Sequence, residues 1–232
     1  MLINGQTPPE SGNNGIVYRT APDTTPVNIK PLEGLVEGYP IVFGARTQIG
    51  NYFTEEIDPH ALDGADLTDI KFMVNHNDGM IPLARHRRGK RSTMDVEVTA
   101  QGLHINARLD VQNNSTAREL CSAVDREDIG DMSFAFGVTI DGDEWSGLDT
   151  DLPHRRITKI SKVFEVSAVN DGAYPQTSIY ARSAALDNAK NALEKARSAA
   201  ALDNEKRAAS EQAALRLAKE KFLFIRSLKN YD

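Results

Sequence analysis

The 232-residue sequence predicts a mostly β body with a few helices, followed by a long C-terminal helical tail. Three observations point there. From Leu35 to Arg182, short apolar runs are broken at fairly even intervals by turn residues, the pattern of a β-rich domain. All 16 Gly and all 10 Pro lie before residue 176. Of the last 51 residues 13 are Ala, and the segment is otherwise dense in Leu, Glu, Lys and Arg, a composition that favours helix. Charge divides at the same place. Residues 182–232 hold 11 basic and 7 acidic side chains, whereas residues 1–181 hold 16 and 26. The net charge of −6 therefore hides an acidic body and a basic tail.

In chain order, residues 1–33 are rich in Pro, Gly, Asn, Thr and Ser without periodicity and read as a flexible arm. Residues 34–181 form the body. Its expected strands are Leu35–Phe43, Ile70–His76, Met94–Thr99, Leu103–Leu109, Met132–Ile140, Arg156–Val169 and Ser178–Ala181. Two helices are expected between them, Glu55–Leu62 and Ser115–Asp125. The second has Ser115 as its cap and Glu119 in its first turns, where a carboxylate suits the helix dipole. The tail, 182–232, carries a weak repeat in which Arg182-Ser183-Ala184-Ala185-Leu186-Asp187-Asn188 recurs from Arg197. Its apolar stripe (Leu186, Leu193, Ala200, Leu202, Leu215, Phe222, Ile225) is too rich in Ala for a strong coiled coil.

Several chemistries lack support. No apolar run approaches the roughly 18 to 20 residues of a membrane span, and the N-terminus does not read as a secretory signal. Cys121 is the sole cysteine, which excludes an internal disulfide or a Cys-based zinc cluster. The five His include no His-x-x-x-His pair, and no glycine-rich phosphate loop is present, so neither a metal nor a nucleotide cofactor is expected. The cluster Arg85-His86-Arg87-Arg88-Gly89-Lys90-Arg91 has no interleaved aromatic residue and sits in an acidic body. It reads as a solvated or partner-docking loop rather than a nucleic-acid site.

Nucleophilic catalysis is left, and it needs a Ser, a His within reach and a group that orients the imidazole. With 13 Ser in the chain, context has to choose among them. His76 ends the run Ile70–His76, where strand alternation places it on the face of Ile70, Phe72 and Val74 at the entry to a turn. It suits a general base, or equally a strand-end His bonded to its turn. Ser133 lies in Met132-Ser133-Phe134-Ala135-Phe136-Gly137-Val138-Thr139-Ile140, on a face of small residues. That face would let a peptide backbone approach, with Gly137 explained by such closeness, or it would be a small solvent-facing row. Glu165 lies in the apolar run Val163–Val169 and needs a partner. An imidazole would serve, and so would Arg155, Arg156 or Lys159. Cys121, on the expected second helix, reads as a small buried residue.

Three segments taken in order carry a resemblance: Val74-Asn75-His76-Asn77-Asp78 with Ile81-Pro82, then Asp131-Met132-Ser133-Phe134-Ala135-Phe136, then Phe164-Glu165-Val166-Ser167-Ala168-Val169. The sequence resembles the prohead (procapsid maturation) serine protease family of tailed bacteriophages, which is related in fold to herpesvirus assemblin. The likeness extends over Gly34 to Arg182, including Glu37–Gly44 and Ile57–Leu62. It implies a β-barrel-like, herpesvirus-protease-type domain with Ser133 as nucleophile, His76 as base and Glu165 as third member. The substrates implied are the phage scaffold, the scaffold-like part of the major capsid protein, and the protease itself, with action inside assembling proheads in the host cytoplasm. Leu83-Ala84-Arg85, Ala135 and Asp171–Pro175 depart from the family pattern. The tail would pair with scaffold helices or self-associate. A non-catalytic assembly protein with a β-rich interaction module is the competing reading. A β-barrel binding small molecules or nucleic acid is disfavoured by the acidic body.

Overall fold

In a computed structural model, side chains are described for residues 33–170 and 186–221, and the backbone also for 17–20, 28–30, 179–185 and 222–228. The chain divides into two compact units, Met1–Lys190 and Asn191–Asp232.

Thirteen strands and one helix make up the described part of the first unit ahead of the long tail helix. In order they are β1 (Val17–Thr20), β2 (Asn28–Lys30), β3 (Leu35–Val42), β4 (Thr47–Ile49), β5 (Phe53–Ile57), β6 (Asp69–Val74), β7 (Ala84–Arg87), β8 (Met94–Val98), β9 (Gly102–Arg108), α1 (Ser115–Asp125), β10 (Asp131–Val138), β11 (Asp143–Ser146), β12 (His154–Ile157) and β13 (Ile160–Val169). They form three sheets, ordered β1-β10-β13-β6-β7, β11-β12-β5-β4 and β2-β3-β9-β8. None of these sheets closes on itself, so the expected barrel is replaced by three open sheets around a shared core. Val36, Ile41, Ile70, Phe72, Leu103 and Phe136 are among its fully enclosed side chains.

Strand β10 is buried along both faces, unlike the half-exposed strand that alternation suggests. Its Phe134 and Phe136 rings stack 4.9 Å apart, while Ser133 and Ala135 are equally enclosed on the other face. The close approach at Gly137 comes from inside the fold. A Cβ there would lie 2.7 Å from Ser161 Oγ, so the glycine accommodates a neighbouring side chain and not an incoming peptide.

Other expectations also change. The stretch read as a flexible arm contains β1 and β2, both paired to body strands. The expected helix Glu55–Leu62 is β5 followed by a turn. Pro59 disfavours helical backbone at Asp58, and Phe53, Glu55 and Ile57 alternate inward as strand residues. The run Arg156–Val169 is split between β12 and β13, and the expected strand Ser178–Ala181 gives way to helix from Ile179 onward, Ser178 lying outside the described residues. The first three residues of the basic cluster, Arg85 to Arg87, lie in strand β7, with Arg85 gripping Asp69 through two 2.6 Å hydrogen bonds. Helix α1 occurs as expected, but Asn114 caps it, accepting from the Thr116 and Ala117 N–H groups, and no acidic residue lies in its first turn. Its apolar face, Ala117, Leu120, Cys121 and Val124, packs inward, and burial pushes the Cys121 thiol pKa up.

The tail helix, α2 (Ile179–Leu228), has 50 residues, so it is about 75 Å long at 1.5 Å per residue. Leu202, Leu215 and Leu217 are exposed on it. No helix among the described residues is long and apolar enough to cross a membrane.

Candidate active site

The first sheet brings together three segments far apart in sequence. Antiparallel pairing of β10 with β13 sets Ser133 opposite Ser167, and parallel pairing of β13 with β6 sets Ser167 beside Met73 and Ala168 beside Val74. Side chains two apart on a strand share a face, so Glu165 and Ser167 point the same way. His76 lies two residues past the end of β6.

Histidine 76 reaches this face by a turn. The strand stops at Val74, and Asn75 and His76 both take left-handed backbone, φ 51° and 54°. Asn is one of the few residues that tolerates this conformation, and a left-handed His is uncommon. Surrounding bonds hold the pair in place. Asn75 N–H donates to Ala168 O (2.9 Å), Asn75 exchanges side-chain bonds with Asn170, and Asn77 N–H closes the turn on Val74 O (3.1 Å). His76 N–H donates to Ser167 Oγ at 3.2 Å.

The side chains form one hydrogen-bonded series. Ser133 Oγ lies 2.7 Å from His76 Nε2, and His76 Nδ1 bonds Glu165 Oε1. Ser167 Oγ donates to Glu165 Oε2 at 2.6 Å. A carboxylate only accepts, so the imidazole proton sits on Nδ1, and Nε2 is left to accept the Ser133 hydroxyl proton. Ser133 is 1 % exposed, His76 and Glu165 are each 4 % exposed, and Ser167 is fully enclosed. The series is therefore shielded from water, where its electrostatic terms are strong.

The two arginines that could have held Glu165 are engaged elsewhere. Arg155 bonds Glu55 (3.0 Å) and Asp143 (2.7 Å), and Arg156 pairs with Asp58 and Glu56. All three sequence-derived candidates thus meet in one cluster. Ser167 was not singled out from the sequence, although its place two residues after Glu165, on the same strand face, is the signal that marks it. No group of three or more His, Cys, Asp or Glu among the described residues is arranged to hold a metal ion.

No curated protein and no solved structure matches this chain. The family model of the caudovirus prohead serine proteases matches residues 25–192, a span containing His76, Ser133, Glu165 and Ser167. That match covers most of the sequence, and the chain belongs to the caudovirus prohead serine protease family.

Proposed function

We propose that this chain is a serine endopeptidase of phage prohead maturation in which Ser133, His76 and Glu165 form the catalytic triad. The observation that carries the reading is the buried series from Ser133 Oγ through the imidazole to Glu165, in a member of a prohead serine protease family. Ser133 Oγ attacks the scissile carbonyl while Nε2 takes its proton. The imidazolium then gives that proton to the leaving amine. Glu165 holds the tautomer and stabilises the imidazolium. Ser167, bonded both to the Glu165 carboxylate and to the His76 backbone, acts through them as a positioning residue.

The substrates are the scaffold and the scaffold-like part of the major capsid protein, together with the protease itself, inside the assembling prohead of the infected cell. The second unit, with its exposed leucines, pairs with scaffold helices and delivers the protease. Kinship in fold with herpesvirus assemblin belongs to the same proposal. Co-expression with the scaffold and capsid protein, followed by intact mass measurement, tests the activity. Wild type yields cleaved products, and Ser133→Ala and His76→Ala do not. Identical cleavage patterns from wild type and Ser133→Ala would sink the protease reading and favour a non-catalytic assembly protein.

A further inference from the structure

Strand β10 has two neighbours in its sheet. On one side is β13, ten residues long and itself flanked by β6. On the other is β1, a four-residue strand at the end of the sheet. β1 runs antiparallel to β10 with Thr20 at the register position opposite Ser133, then Arg19 opposite Phe134, Tyr18 opposite Ala135 and Val17 opposite Phe136. The backbone edge that leads up to Ser133 is therefore taken by a segment of the same chain.

That arrangement is at odds with peptide cleavage in one respect. Attack requires a substrate carbonyl about 3 to 3.5 Å from Ser133 Oγ, yet Ser133 is only 1 % exposed. Something beside Ser133 has to leave. β13 cannot, because it carries Glu165 and Ser167 and bonds strands on both sides. β1 can, because it is four residues long, lies at the end of the sheet and has β10 as its one neighbour there. Once β1 leaves, β10 presents a free row of N–H and C=O groups ending beside Ser133. Such an edge takes up an extended peptide by strand addition, with main-chain bonds giving affinity and side chains giving selectivity. β1 also precedes residues 25–192, so the segment that closes this edge lies outside the family match.

We propose that the β10 edge is where the substrate docks, as an extended, unfolded segment added antiparallel, and that β1 occupies this edge in the resting chain as a displaceable stand-in. The proposal rests on the protease reading and adds to it a substrate class and a reason for low activity before displacement. The register makes residues 17–20 a template for the segment that is recognised.

The test uses the full chain and a fluorophosphonate probe that labels reactive serines, with Ser133→Ala as the blank. Adjacent residues on an edge strand alternate between bonding the partner and facing away. One of Tyr18→Pro and Arg19→Pro therefore removes a ladder bond and the other does not. The disruptive proline raises the Ser133-dependent labelling rate at least about tenfold, as freeing a site that is open one time in ten or less requires. A synthetic peptide of residues 15–22 slows labelling of that variant again. A chain starting at residue 25, which retains every residue of the family match, labels as fast as the disruptive variant. If both proline variants and the shortened chain label within about twofold of wild type, with labelling still dependent on Ser133, the docking proposal is overturned and the protease reading stands. Absence of Ser133-dependent labelling in every chain overturns both.

Discussion

Ser167 holds two parts of the candidate site at once, donating to Glu165 and accepting from the backbone of a left-handed His76. Removing its hydroxyl leaves a buried carboxylate oxygen one donor short, a loss of about 1 to 3 kcal/mol. For Ser167→Ala we expect kcat to fall about 10- to 100-fold with KM little changed, since each 1.36 kcal/mol is tenfold in rate. A change confined to KM would contradict the positioning role. Glu165→Gln is expected to cost less than Ser133→Ala. In a characterised triad the acid alone costs about 10^4-fold against about 10^6-fold for nucleophile or base. Steady-state kinetics on a scaffold-derived peptide reads both. At this scale the sequence marks the three candidate side chains because each is a polar group in an apolar run. It did not show how His76 gets there. Alternation carried the strand through to His76, whereas two left-handed residues end it at Val74, and bonds to Ala168 and Asn170, about 95 residues away, stabilise that turn.

Among the elements, the legible ones were those whose signals are local. Helix α1 has an inward apolar face at helical spacing, and only its cap was displaced by one residue, because Asn114 Oδ1 reaches two N–H groups. Asn114→Ala is expected to lower the stability of the chain by about 1 kcal/mol in urea unfolding. Strand β5 was not legible. Its Glu55 looks like a helix-surface residue in sequence, but it is buried against Arg155, which comes from β12, the parallel neighbour of β5. Arg155 is nearly enclosed too, and its guanidinium lies 5.7 Å from the centre of the Trp145 ring. Arg155→Ala would remove the charge paired with the buried Glu55 carboxylate, so we expect a loss of about 3 to 5 kcal/mol. A shift of the unfolding midpoint no larger than that of an exposed substitution would refute this. Strands β1 and β2 are hidden within a stretch that looks like an arm, because three or four residues carry no usable period and only their pairing partners define them.

For the molecule as a whole, acid should act through carboxylates held in the ionised form. Lys162 and Thr68 hold the Asp66 carboxyl well below its ordinary range, and Arg85 lowers that of Asp69. A pKa depressed by folding adds stability above the unfolded value, about 3.9, and that stability fades as pH falls through the folded value. Asp66→Asn and Asp69→Asn should therefore be less stable than wild type near neutrality, with the gap closing below about pH 4. A gap that stayed constant to low pH, followed by urea unfolding at each pH, would rule out this contribution. The two units allow a separate test of delivery: a chain ending at Ala192 keeps every matched residue and should still process substrate in solution but fail to enter proheads. Composition and local pattern alone determined the division into an acidic, turn-rich body and a basic helical tail, the mostly β class, and the three side chains worth testing, since these depend on residue type and short spacing. Tertiary structure alone decided that the sheets stay open, that Glu165 pairs with His76 and not with an arginine, that Ser167 joins them, and that β1 lies along β10. Each of those outcomes is a long-range strand pairing or burial, set by which distant segments share a sheet.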